Sequence, residues 1–257
     1  MASYTIEDIK RCRRGNYNYI GGLILVDFLA VRIAWFVVNY TRLTPNKITL
    51  IHFILKLCAS LFFYFGLRNY LILGALAYLI SITLDDVDGK VARVRGEESP
   101  MGKYYDYLAD AAGDFLCLAA LIYSQYVIVN RELWLVVGML LPFLYLFVSY
   151  ESILFREAMV NSNKEVAVDK SARGEKLVGF LEIFAGKFKA ITNKYKVSYL
   201  TLDMADIAIL FFVVGPFFGL VNIFLLIGTF FILEKLLVEK IVFILRNKKA
   251  FLPGTVI

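Results

Sequence analysis

A chain of 257 residues that is 60% hydrophobic and 16% aromatic, with 5 prolines and a formal net charge of +6, has apolar runs too long and too frequent for the core of one soluble domain. This composition points to an all-α integral membrane protein of several spans. The positive charge is accounted for by cytoplasmic segments and anionic lipid, so no nucleic acid partner is required.

Residues 1 to 19 are polar and basic, with no apolar core before a small-residue cleavage site, so no removable signal peptide is expected. The run at 21 to 39 is apolar but carries Asp27 and Arg32. Lys10, Arg11, Arg13 and Arg14 precede it and Arg42 and Lys47 follow, so a juxtamembrane amphipathic helix in the cytoplasmic interface keeps all the basic residues on one side. Residues 1–47 are thus read as a cytoplasmic N-terminal segment and 48–257 as one membrane domain.

Six transmembrane helices are expected there, at 48–67, 70–84, 107–129, 133–155, 204–221 and 223–245, since runs of about 20 apolar residues match a hydrocarbon layer of roughly 30 Å. The turns at 67–70 and 130–132 hold only Arg68 and Arg131 as basic residues. The opposite side receives Lys90, Arg93, Arg95 and Lys103, the basic 156–201 excursion, and Arg246, Lys248 and Lys249, so both termini are expected to be cytoplasmic. Within the excursion, Leu177, Leu181, Phe184 and Phe188 have helical spacing and suggest a surface helix. Cys12, Cys58 and Cys117 are scattered, with no CxxC pair, and read as small hydrophobes or free thiols.

The first span carries a polar stripe of Thr49, His52, Lys56 and Ser60, with Asn46 one step earlier. Such groups either border a ligand or hydrogen-bond between helices. His52, the only histidine, is read as structural.

The acidic residues are the strongest signal. If the second span continues as a helix past Leu84, Asp85 and Asp88 share a face, and Asp106, Asp110 and Asp114 form a stripe on the third. Both sets fall at the cytoplasmic ends of their spans. Ionised carboxylates at the edge of lipid demand a charge partner, and two facing pairs of carboxylates make an all-oxygen site suited to Mg²⁺, Mn²⁺ or Ca²⁺ rather than zinc. Gly89, Ala92, Ala109, Ala112 and Gly113 leave room for a ligand or a close helix.

Together Asp85, Asp88, Gly89, Ala92, Arg93, Gly102, Asp106 and Asp110 fit D-x2-D-G-x2-A-R-x8-G-x3-D-x3-D. At ordinary residue frequencies such a match arises by chance about once in 10^10 starts. The pattern resembles the signature of the CDP-alcohol phosphotransferases, integral membrane enzymes of phospholipid synthesis, and the stretch Thr44 to Thr49, "TPNKIT", resembles a second family element.

The resemblance implies transfer of a substituted phosphate from a CDP-linked donor to an alcohol acceptor, with release of CMP. It implies two divalent cations, Mg²⁺ or Mn²⁺, held by Asp85, Asp88, Asp106 and Asp110, with Asp110 also the base that takes the acceptor's proton. Gly89 and Ala92 would let the cytidine approach the helix. From the polar stripe, Asn46, Thr49 and Lys56 either border the donor pyrophosphate or hydrogen-bond between helices. Arg93 would contact phosphate or fix a carboxylate, unless it is an interfacial anchor. Gly102 would belong to the CDP site, with a plain turn glycine before the third span as the weaker alternative; the two readings are compatible. Asp86 and Asp114 are not signature positions and either belong to the shell around the ligands or only line the polar cavity.

For the acceptor, Arg156, Lys170, Arg173 and Lys176 could bind a phosphorylated polyol, or simply belong to a solvated basic segment; Asp203 and Asp206 could instead recognise a cationic or hydroxylated head group. A site at the membrane edge suits a lipid-linked donor such as CDP-diacylglycerol, because the acyl chains stay in the bilayer; a soluble donor with a lipid acceptor uses the same chemistry. Family analogy adds a homodimer. A prenyltransferase DDxxD would need an acid where Gly89 stands, and a transporter's carboxylates tend to lie nearer the midplane.

Overall fold

The computed structural model describes residues 4–12, 22–162 and 204–246, and every regular element in them is helical. The helices are α1 (Ile6–Arg11), α2 (Gly22–Tyr40), α3 (Pro45–Phe65), α4 (Arg68–Arg95), α5 (Pro100–Val129), α6 (Leu133–Ser162), α7 (Met204–Phe218) and α8 (Val221–Arg246). Of these, α3, α4 and α5 are each long and apolar enough to cross a membrane, and shorter apolar stretches cover Val136–Glu151 and Met204–Phe218. The residues at 163–203, including Lys170, Arg173, Lys176, Asp203 and the expected surface helix, lie outside the described residues, as do Lys248 and Lys249.

Local sequence explains where the central helices begin and end. Pro45 occupies the first turn of α3, where its missing N–H costs nothing and its fixed φ suits the helix. α4 ends on Gly96 with φ 67°, a left-handed conformation that favours glycine. Ser99 then caps α5 by accepting the Gly102 N–H at 3.0 Å, with Pro100 following. Consequently α4 runs well past residue 84 and α5 starts well before 107, and only residues 96–99 connect them. Hydrophobicity marks how much of a helix sits in lipid, whereas the backbone ladder stops only at a cap or breaker. The whole signature therefore lies on helices.

α1 was not expected. Thr5 and Asp8 form a reciprocal capping box, in which the Thr5 N–H donates to Asp8 Oδ2 at 2.8 Å and the Asp8 N–H to Thr5 Oγ1 at 3.2 Å; the Thr5 hydroxyl also lies 2.7 Å from Asp8 Oδ2. These bonds hold the Asp8 carboxyl below its ordinary range. Ile9 is buried with Ala30, Val31, Ala34 and Val37 of α2 and Val87 and Val91 of α4, so α2 packs against the bundle along α4. Lys90 of α4, fully buried, pairs with Asp27 of α2 at 3.1 Å and with Asp86.

Polarity runs inside out on α3. Leu50, Ile54, Leu57 and Leu61 are exposed, while Thr49, His52 and Lys56 are buried, the arrangement of a helix whose outer face meets lipid and whose polar groups face its neighbours. Ser60, the last member of the expected stripe, bonds only back to the Leu57 carbonyl at 2.8 Å. The main core joins Phe63 of α3, Tyr78 of α4, Leu118 and Leu121 of α5, Tyr145 of α6 and Phe212 of α7. Beyond it, a π-helical turn at Leu210–Val214 precedes Pro216, whose carbonyl accepts from Arg68 at 3.0 Å.

α3 and α5 approach closely because Gly113 has no side chain: a Cβ there would overlap the Lys56 stem, meeting even the Lys56 Cβ at 2.9 Å. Gly113→Ala should therefore lower stability by about 1–3 kcal/mol, the usual range for overpacking. Thermal unfolding in detergent measures this, and an unchanged midpoint would show that the helices separate freely.

Candidate active site

α3, α4 and α5 converge on one acidic pocket. One ligand atom each from His52, Asp85, Asp88 and Asp106 lie within 4.8 Å of one another. Asp85 and Asp88 come from adjacent turns of α4 and Asp106 from α5, as the i, i+3 and i, i+4 spacings require. Thr49 adds its hydroxyl, donated to Asp88 Oδ2 at 2.6 Å. The cluster is an Asp/His site able to hold a metal ion: carboxylates in this number, gathered in a largely apolar bundle, need positive charge between them.

Asp110 is set apart. Its Oδ1 accepts from Lys56 Nζ at 2.7 Å, and the same ammonium pairs with Asp114 Oδ1 at 2.7 Å. Asp114 is fixed further by the Tyr78 hydroxyl at 2.8 Å and the Tyr145 hydroxyl at 3.0 Å. The backbone around the pocket is also tied: Ser81 donates to the His52 carbonyl at 2.8 Å, and Cys117 to the Lys56 carbonyl at 3.3 Å.

The other expected site residues are distributed around this centre. Arg93 lies not on a carboxylate but with its Nε donating to the Cys12 carbonyl at 2.5 Å. Its Nη1 and Nη2 stand 3.2 and 3.4 Å from where a Gly89 Cβ would be, so the missing side chain makes room for the guanidinium against α4. Ala92 is on the next turn of α4. Gly102 is in the first turn of α5, where a Cβ would come 3.2 Å from Asn46 Oδ1; the plain-turn reading gives way to a helical glycine facing α3. Asp86 leaves the cluster for Lys90, whereas Asp114 stays beside Asp110. Arg95 anchors the entry to α3 through the Leu43, Thr41 and Val37 carbonyls at 2.5, 3.0 and 3.1 Å. Arg156 lies in the backbone of α6 with its side chain outside the described residues, and Asp206 is buried in α7, 7% exposed.

Sequence reasoning missed the chemical position of His52 and the partners Tyr78 and Tyr145. The first was legible in the stripe spacing that places His52 between Thr49 and Lys56. The tyrosines had no such signal, since they lie on helices whose rotation the sequence leaves open.

The model of the CDP-alcohol phosphatidyltransferase family matches residues 42–232, which include every one of these pocket residues. The chain belongs to that family. Among curated relatives, the bifunctional IPC transferase and DIPP synthase of Thermococcus kodakarensis is 29% identical over 181 residues, covering 67% of this chain and 40% of the relative. The protein of the same name from Archaeoglobus fulgidus is 35% identical over 99 residues, 38% of this chain and 19% of the relative. The archaetidylinositol phosphate synthase of Pyrococcus horikoshii is 36% identical over 72 residues, 28% and 37% of the two chains. This chain thus spans less than half the length of each relative it matches.

Proposed function

We propose that this family member transfers a substituted phosphate from a CDP-linked donor to an alcohol acceptor and releases CMP. The observation that carries the reading is the geometry around Asp110: a carboxylate beside a metal-competent cluster, yet held by a lysine. Asp85, Asp88 and Asp106 are the firmer ligands for two divalent cations, with Asp110 less committed. When bound, Mg²⁺ or Mn²⁺ would neutralise the donor's pyrophosphate and the charge developing on the leaving oxygen.

The remaining steps belong to the chain's own residues. Lys56 holds Asp110 Oδ1, leaving Oδ2 for the acceptor's hydroxyl proton. The acceptor oxygen forms a bond to the donor phosphorus opposite the CMP oxygen; the P–O bond to CMP breaks, its electron pair leaves with CMP, and the proton stays on Asp110. Arg93, seated against Gly89, contacts a donor phosphate, and the small side of α4 at Gly89 and Ala92 admits the cytidine. Asn46, Thr49 and Gly102 close the α3 side of the donor site.

The donor we favour is a lipid of the CDP-diacylglycerol type, because α3, α4 and α5 present apolar outer faces beside the pocket. The name archaetidylinositol phosphate synthase supports a phosphorylated polyol of the inositol phosphate class as acceptor, with Arg156, Lys170 and Arg173 the basic residues available to it. Six spans with cytoplasmic termini would put the pocket at the cytoplasmic boundary.

Purified protein in detergent or lipid should release CMP when given Mg²⁺ or Mn²⁺, CDP-diacylglycerol and inositol phosphate. Soluble CDP-alcohols with lipid acceptors form the second arm. CMP only in that arm would reverse the assignment of donor and acceptor, and none in either would overturn the reading. Thr49→Val, which removes the hydroxyl from Asp88, should weaken Mn²⁺ binding about tenfold, the lower end of the effect of losing a group that orients a ligand; titration calorimetry reads this directly.

A further inference from the structure

His52 is the only histidine in the chain, and its surroundings do not suit a structural role. Its side chain is fully buried, and neither ring nitrogen has a hydrogen-bond partner. A neutral imidazole has one donor and one acceptor nitrogen, and leaving both unmet in a buried site is expensive. The ring is not loosely placed: its backbone carbonyl is pinned by Ser81 of α4, and Thr49 and Lys56, one turn to either side, are both engaged with signature-helix carboxylates.

The unpaired ring opens onto the acidic cluster. Nε2 stands 3.8 Å from Asp106 Oδ1, too far for a hydrogen bond. It is a suitable separation for two atoms bound to one ion, since ligands about 2.1–2.2 Å from a metal lie roughly 3–4 Å apart at ordinary bond angles. The same grouping holds for Asp85 and Asp88, all four residues offering an atom within 4.8 Å.

We propose that His52 is a nitrogen ligand of the divalent metal bound by Asp85, Asp88 and Asp106, making one position of the site a mixed nitrogen and oxygen centre that favours Mn²⁺ over Mg²⁺. This rests on the metal-dependent reading above. An imidazole brings a softer, neutral donor to a site otherwise built of carboxylates, and such donors raise affinity for transition metals far more than for Mg²⁺. It also gives the buried ring the partner it lacks and fixes which nitrogen carries the proton.

Because no other histidine exists, isotope labelling of the unaltered protein tests this without a mutation. The protein is purified with a tag that contains no histidine, loaded with Mn²⁺, and examined by electron spin echo envelope modulation. The expected result is modulation from a directly coordinated ¹⁴N, replaced by the ¹⁵N pattern when the protein is grown on ¹⁵N-histidine. Bound Mn²⁺ with no histidine modulation would overturn the assignment of His52 while leaving the carboxylate site intact. Failure of the folded protein to bind Mn²⁺ at all would overturn both. As a second measurement, His52→Gln should weaken Mn²⁺ binding by about tenfold or more and Mg²⁺ binding much less; equal loss for both ions would count against a nitrogen ligand.

Discussion

Asp110→Asn should reduce CMP release by about 10²–10⁴, the range that a positioned general base contributes, while donor affinity and Mn²⁺ binding stay within a few-fold of the unaltered protein. The asparagine keeps the volume of the side chain and an oxygen for Lys56, so the pocket should hold its shape. What disappears is a site that can accept the acceptor's proton. The separation of effects is the informative part. Asp85→Asn or Asp88→Asn should weaken metal binding first, because these carboxylates belong to the cluster with Asp106 and His52. If Asp110→Asn instead abolishes metal binding and leaves residual turnover at saturating metal, Asp110 is a ligand and the base lies elsewhere. Parallel measurements of kcat, KM and Mn²⁺ affinity decide between the two.

Spacing alone makes most of this pocket legible. Asp85 with Asp88, and Asp106 with Asp110 and Asp114, are fixed on shared faces by the helical period alone, and the structure gathers Asp85, Asp88 and Asp106 accordingly. What spacing could not supply was rotation and pairing between helices. Asp86 is one residue from Asp85, about 100° around α4, and that turn sends it to Lys90 and Asp27 rather than to the metal-competent cluster. Asp114 continues the stripe of Asp106 and Asp110, but Tyr78 and Tyr145 claim it from α4 and α6. In the sequence Lys56 is a polar residue on an apolar helix; the contact between α3 and α5, made close by Gly113, shows that it joins two carboxylates. The lengths of α4 and α5 were underestimated because hydropathy reports the lipid boundary, while Gly96, Ser99 and Pro100 set the helix ends. α1 escaped notice because a six-residue helix has too few apolar positions to show a period; its capping box, Thr5 with Asp8, was the available signal.

The buried cation at the centre of this arrangement should matter for stability as much as for turnover. Lys56→Met removes the ammonium that bridges Asp110 and Asp114, leaving Asp114 with two tyrosine hydroxyls and Asp110 facing the metal cluster. Breaking one side of a buried ion pair costs about 3–5 kcal/mol because the remaining charge stays desolvated, and an apolar bundle in lipid offers little water to relieve it. Most of that loss should trace to Asp114, whose side chain is 13% exposed against 36% for Asp110. Adding Asp114→Asn to Lys56→Met removes the stranded charge but keeps oxygen for at least one tyrosine hydroxyl. The double variant should thus recover about 1–3 kcal/mol, a coupling typical of groups in one network. Chemical denaturation in detergent measures all three variants on the same scale. A double variant no more stable than Lys56→Met would mean that the lysine is held for Asp110 alone, and that its place in the fold is to keep that carboxylate out of the metal's reach.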